Sequence, residues 1–359
     1  MTIVDQTYEF VIGVDTHART HTYAILNAAT GSPVTTPEAF PTTKGGLERA
    51  IAWAARRIGG NLNALWVIEC IATYGALLAR HVTTAGFDVV EAPQAASKAH
   101  RGAGKSDLAD AARIAKAALA VDVEQLRRPR ADQGVRAALR VLLTARDQMT
   151  TERTANVNAL IALARNTALG IDARRGLSGG GIVEVSRWRP RNEDVATRVA
   201  RTEAVRLARR VVALNTDLAA NQDAIVRLLK TSPAQALLEK TGVGPITAAI
   251  ALTAWSHPGR VRNEASFASL AGVSPLEASS GNTSRHRLNR GGDRRLNRAL
   301  HMAAITRMTY DADTRAYVAR RRAEGRTDRE IRRCIKRYLA RQIYRTLNAA
   351  HAPALLDET

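Results

Sequence analysis

Phe10-Val11-Ile12-Gly13-Val14-Asp15-Thr16-His17 is the stretch on which the fold turns. Its apolar run is too short for a helix and ends on a carboxylate, which predicts a buried strand with an acid at its carboxyl end. Thr22 to Leu26 reads as a second strand, and Asn27 to Gly31 as a turn. Gly46 to Arg57 has helical spacing. Leu65-Trp66-Val67-Ile68 forms a third strand candidate ending at Glu69, Tyr74 to Ala85 reads as helix, and Asp88-Val89-Val90 begins another strand. Strands alternating with helices predict an α/β layer with buried strands over roughly the first 125 residues.

Further along, the pattern changes. From 131 to 230 the chain is rich in Ala, Arg and Leu. Leu207, Val211, Leu214, Leu218, Asn221, Ile225 and Leu228 repeat in alternating steps of four and three. This is a coiled-coil seam with one polar residue, Asn221, where register is often fixed. Gly176 to Gly181 and Arg187 to Asn192 interrupt the 131–230 region, so two long helices in an antiparallel hairpin are expected. An ordinary bundle, a solvent-reaching arm and an oligomer contact all fit that spacing. Residues 234–350 read as helical, with a Gly/Ser-rich insertion from Ser274 to Gly292. The last helix opens on a capping box, Thr327 to Glu330. Ile331, Ile335, Leu339 and Ile343 mark its apolar stripe, and Arg332, Arg333, Lys336 and Arg337 crowd its other faces.

The chain has 359 residues, with 53 Lys+Arg against 33 Asp+Glu, a net charge of +20. Such an excess suits a polyanionic partner, because cations on phosphates release counterions. Seven of the cations are lysines and 46 are arginines, whose planar fork grips phosphates bidentately, although a GC-rich genome produces the same bias. The two cysteines, Cys70 and Cys334, have no metal-ligand spacing. There is no signal-like start and no apolar run long enough to span a bilayer, so a soluble cytoplasmic protein without membrane contact is expected.

Asp15 and Glu69 both stand where a buried strand gives way to a loop, the side of a parallel sheet where chemistry gathers. Asp107 and Asp110 are three apart and share a helix face. Oxygen donors of this kind suit Mg²⁺ or Mn²⁺ rather than zinc. Taken singly, each acid also reads as ordinary structure: Asp15 as a turn residue, Asp107 and Asp110 as first-turn acids favoured by the helix dipole after Ser106. As an ordered set, Val11 to His17, Val67-Ile68-Glu69 with Tyr74-Gly75, and Lys105 to Ala111 resemble the DEDD tetrad of Piv-type insertion-sequence transposases, the bridge-RNA-guided serine recombinase family. The resemblance implies an N-terminal RuvC-like domain of ribonuclease H fold, with Asp15, Glu69, Asp107 and Asp110 as catalytic metal ligands.

Leu237 to Ala249 reads as helix, Gly242-Val243-Gly244 hairpin, helix; such a hairpin aims backbone N–H groups at a phosphate, or is simply a tight turn. Downstream, Ser279-Ser280-Gly281 is followed by Arg285, Arg287, Arg290, Arg294, Arg295 and Arg298. A serine among such cations can attack a phosphate whose charge they stabilise; alone, Ser-Ser-Gly is commonly a turn. The family's C-terminal domain has a similar run, and the likeness places its catalytic serine on Ser280, with Ser279 as the alternative. The resemblance thus implies three parts: 1–128 catalytic, 129–232 helical coiled coil, and 233–359 a mainly helical C-terminal transposase domain. It further implies DNA strand transfer through a phosphoserine link, a bridge-type noncoding RNA as guide, and a homo-oligomer built as dimers assembling to a tetramer. Two rivals stand beside it. One is a RuvC-like metal nuclease that uses water; the other is a nucleic-acid-binding protein without chemistry.

Overall fold

The computed structural model describes residues 2–93, 107–130, 133–172, 174, 176–277, 286, 287, 289 and 291–351. The chain divides into two compact units, 1–132 and 133–359.

In the first unit a short helix α1 (Val4–Thr7) precedes β1 (Phe10–Thr16), β2 (Thr20–Asn27), β3 (Glu38–Pro41), α2 (Lys44–Arg57), β4 (Ala64–Ile68), α3 (Ala76–Thr84), β5 (Asp88–Glu91) and α4 (Asp107–Leu119). The sheet order is β3-β2-β1-β4-β5. β1, β4 and β5 are parallel, while β2 and β3 join as antiparallel hairpin strands. Side chains of a strand alternate between faces, and the two cores follow that alternation. Ile12, Val14, Tyr23, Ile25, Trp66 and Ile68 pack with α2 and α3 on one face. Val11, Leu26, Leu65, Val67 and Val90 pack with Ala115 and Ala118 of α4 on the other. Burial on both faces explains the continuous apolar runs in sequence.

β3 is the one strand of this sheet the sequence did not suggest. It is a four-residue edge strand, largely exposed and closing on Pro41. Short edges of this kind carry little apolar pattern.

The second unit is helical. α5 (Gly134–Asn166) and α7 (Val195–Lys230) pack along each other as the expected antiparallel hairpin. Asn221 is buried in their seam: its Nδ2 donates to the Leu142 carbonyl at 3.0 Å, and its Oδ1 accepts from Arg146 at 3.4 Å. The seam read from sequence is therefore filled by α5 of the same chain. Between the long helices lies α6 (Gly179–Ser186), although its opening glycines read as an interruption. Ser178 caps it and Ile182 and Val185 bury into the tip of the hairpin, which outweighs glycine's poor propensity.

The base of the hairpin shares its core with the rest of the unit. Leu139, Leu143, Ile225 and Leu229 pack with α8 (Pro245–Trp255), α9 (Glu264–Leu270), α10 (Arg294–Tyr310), α11 (Ala312–Ala323) and α12 (Asp328–Ala349). α8 is apolar on all sides and buried accordingly. Two-residue strands β6 (Leu276–Glu277) and β7 (His286–Arg287) pair antiparallel. The capping box of Thr327 and Glu330 is formed, and Ile331, Ile335, Leu339 and Ile343 are buried. Among the described residues no helix is long and apolar enough to cross a membrane.

Candidate active site

The parallel register of β1 and β4 pairs Val14 with Ile68, so Asp15 and Glu69 come next on adjacent strands. The Glu69 N–H continues the ladder to the Val14 carbonyl at 3.1 Å, and Thr16 Oγ1 donates to the Glu69 carbonyl at 3.1 Å. By alternation both acids fall on the α4 side of the sheet, in phase with Val11, Gly13, Leu65 and Val67. Asp15 is buried, with its carboxylate 3.7 Å from His17 Nδ1, and Glu69 is exposed. The two carboxylates leave an electrostatic mark: the Cys70 thiol beside them is pushed up by burial, then by the charges of Glu69 and Asp15. Cys70 itself adopts φ 45°, which turns the chain sharply out of β4.

Gly13 brings α4 to these acids. A Cβ at this position would lie 2.2 Å from the Ala111 carbonyl oxygen and 2.6 Å from the Ala115 nitrogen. Only glycine lets the helix backbone rest directly on β1. The far end of α4 is fixed by Val4 N–H donating to the Val121 carbonyl at 3.1 Å, so the helix runs against β1. Its first turn, with Asp107 and Asp110, therefore lies toward the Asp15 end of the strand. Asp110 pairs with Arg113 one turn on. The side chain of Asp107 lies outside the described residues. Among the described residues no three His, Cys, Asp or Glu side chains gather closely enough to hold a metal. The structure thus brings two of the four acids together and sets the helix bearing the others at the same edge. Carboxylate oxygens without thiol or imidazole make this donor set fit a hard divalent cation.

His21 carries part of the site's framework and gave no signal in the sequence. It stands opposite Thr16 on β2 and is buried. Its Nδ1 accepts the His17 N–H at 3.3 Å, and its ring also bonds the backbone of Tyr74 in the loop after Glu69. Burial holds its pKa below the usual range. His21 therefore ties the β1–β2 turn to the Glu69 loop. Glu91, at the end of β5 beside Ile68, adds a further carboxylate that helps push Cys70 up.

In the second unit, Ser279, Ser280, Arg285 and Arg290 lie outside the described residues. The feet of their segment are firmly built. Gly272, at φ 65°, crosses Gly292, where a Cβ would lie 2.4 Å from the Gly272 nitrogen. The Asp293 N–H donates to the Leu270 carbonyl at 2.6 Å, and Asn297 Nδ2 donates to the Ala271 carbonyl at 2.7 Å. Buried Lys336 donates to Asn297 Oδ1 at 2.7 Å, and Arg337 donates to Ser274 Oγ at 3.1 Å. Two of the expected phosphate cations, Arg287 and Arg294, are exposed. Arg295 and Arg298 instead pair with Asp147 of α5, at 2.6 and 3.3 Å.

The Gly242–Gly244 stretch differs from its expectation. The segment before it is a five-residue 3₁₀ turn, Pro233–Leu237, rather than a full helix. Gly242, at φ 81°, packs on α10 with its missing Cβ 2.7 Å from the Ala303 carbonyl. Gly244 is exposed and begins α8 without a side-chain cap, so this helix start does face solvent.

Residues 12–168 match the family profile of the IS110-type DEDD transposase domain, described as a transposase. Residues 234–319 match the profile described as transposase IS116/IS110/IS902 family. The chain is 29% identical over 310 residues to the insertion element IS900 uncharacterized 42 kDa protein of Mycobacterium paratuberculosis, covering 73% of this chain and 77% of that one. It is 36% identical over 124 residues to the insertion element IS110 uncharacterized 43.6 kDa protein of Streptomyces coelicolor, covering 34% of this chain and 30% of that one.

Proposed function

Because the chain is a DNA transposase of the IS110/IS116/IS902 family with a DEDD domain, we propose that it cuts and rejoins DNA strands at a RuvC-like acidic centre aided by a serine. The observation that carries this reading is the pairing of Asp15 and Glu69 at the ends of adjacent parallel strands, under the first turn of α4. Asp15, Glu69, Asp107 and Asp110 would hold Mg²⁺ or Mn²⁺. Such a cation supplies Lewis-acid polarisation of a phosphate oxygen.

The remaining steps belong to the chain's own residues. Ser280 Oγ attacks the phosphorus of a DNA phosphodiester. The new O–P bond forms as the bond to the 3′ oxygen breaks, and the serine proton is balanced by the one the 3′ hydroxyl gains. The phosphoserine link keeps the bond energy, so a second 3′ hydroxyl can displace Ser280 without ATP. Exposed Arg287 and Arg294 neutralise the phosphate, joined by Arg285 and Arg290. The solvent-facing start of α8 at Gly244 offers backbone N–H groups to a neighbouring phosphate, with Gly242 shaping the turn that leads into it. A noncoding RNA that pairs with donor and target DNA would supply sequence selection to a protein whose cations read backbone. Dimers assembling to a tetramer would bring the acids and the serine of different subunits to one phosphodiester.

Single-residue variants test the reading. Ser280→Ala is expected to abolish strand cleavage and the covalent protein–DNA product, while Ser279→Ala retains both. Full cleavage by Ser280→Ala would eliminate the serine mechanism and leave a metal nuclease that uses water.

A further inference from the structure

We propose that the tip of the α5–α7 arm is a second DNA contact, a grip on the backbone of duplex DNA formed by Arg187, Arg189, Arg191 and Arg198. This rests on the reading that the chain acts on DNA, and it adds a site that none of the chemistry above uses.

The tip is built rather than merely charged. Arg201 is buried and forms a bidentate pair with Glu193, while its guanidinium stacks over the Trp188 ring at 4.7 Å. Trp188 packs against the small core that closes the hairpin end. Arg209 Nε donates to the Ser186 carbonyl at 3.1 Å. Asp194 caps α7, accepting from Ala196 and Thr197 at 2.9 and 3.1 Å. These contacts fix the 187–194 turn on the end of the arm and also occupy two of its carboxylates. Arg201 holds Glu193 well below the usual carboxylate range, with Arg191 contributing, and the cap bonds do the same for Asp194.

The four remaining arginines are exposed, and none makes an ion pair among the described residues. Against them in the tip turn stand two exposed carboxylates, Glu184 and Asp194, and the second is taken up by its capping bonds to Ala196 and Thr197. Pro190 forces Arg189 into extended backbone, so Arg189 and Arg191 flank it about 6–7 Å apart along the chain. Guanidinium forks at such intervals suit successive phosphates.

Duplex DNA fits better than a single strand because of the arm. α7 has 36 residues, so it sets the tip about 54 Å from its base at 1.5 Å per residue. A stiff arm needs a stiff partner to meet it at a fixed second point, and a duplex keeps its direction over about 150 base pairs.

The test is binding of a 40-base-pair mixed-sequence duplex across a salt series, comparing wild type with R187A/R189A/R191A. Losing three phosphate contacts lowers the slope of log K against log salt by about 2.7. Between 50 and 200 mM salt the wild type should then lose about 40-fold more affinity than the variant. The loss should be similar for every duplex sequence, and R187K/R189K/R191K should largely restore the slope. An unchanged slope overturns the proposal. Duplex binding retained with loss of single-stranded RNA binding reassigns the tip and also overturns it. So does a changed sedimentation mass at unchanged duplex affinity, which would make the tip, with exposed Val195 and Val199 beside it, a contact between copies. Thermal unfolding of the variants should match wild type, since the three side chains are exposed. The assay involves no strand cleavage, so its outcome is separate from that of Ser280→Ala.

Discussion

At the scale of single residues, the acidic centre depends on a position that carries no chemistry. Gly13 lets α4 lie on β1, and any side chain there meets helix backbone rather than a yielding side-chain tip. Gly13→Ala should therefore destabilise the first unit by about 1–3 kcal/mol, the usual range for overpacking. It should also weaken Mn²⁺ binding by shifting the turn that bears Asp107 and Asp110. Thermal unfolding and Mn²⁺ titration of G13A check this, and wild-type values in both would refute the account of α4. Asp15 and Glu69 were legible in the sequence because each ends an apolar run, a purely local signal. Gly13 was visible only as a glycine inside a strand, which announces a close approach without naming what approaches. His21 was invisible, since its role requires knowing that β2 sets it opposite Thr16 and near the loop after Glu69.

At the scale of elements, long amphipathic segments were readable and short ones were not. The 4-3 repeat around Asn221 marked the α5–α7 seam because its period persists over several turns. β3 and the 3₁₀ turn at Pro233 are too short to establish a period, and their form is set by pairing and packing. Packing of α10 on α12 sets a pH dependence that sequence could not suggest. The His301 pKa on α10 is lowered by burial, then by the charges of Lys336 and Arg332 on α12. A histidine with a depressed folded pKa is neutral in the native state, and the unfolded chain takes up its proton first. Its contribution to stability is complete above the ordinary pKa of 6.5 and is lost as pH falls from there through the lower folded value. His301→Gln should flatten the fall in melting temperature between pH 7 and pH 5. An unchanged slope would mean that His301 does not feel the α12 cations.

At the scale of the whole molecule, binding and chemistry draw on different charges. The excess of 53 cations over 33 acids attracts nucleic acid across a wide surface, while the proposed reaction concentrates on a few carboxylates at one sheet edge. Both were legible before folding, since charge is additive and strand ends are local. The sequence did not show that the base of the long hairpin shares a core with residues beyond 232, because Leu139, Leu143, Ile225 and Leu229 join Leu237, Trp255 and Leu339 in one cluster only through folding. The separation of the two roles is open to measurement. Asp15→Asn removes one negative charge and raises the net charge from +20 to +21. Affinity for duplex DNA should therefore stay the same or tighten slightly at low salt. Strand cleavage should fall below detection, since a neutral amide cannot replace the anionic oxygen that a hard divalent ion needs. Wild-type cleavage by D15N would remove Asp15 from the centre, and lost binding with it would mean that the acid holds the fold rather than the reaction.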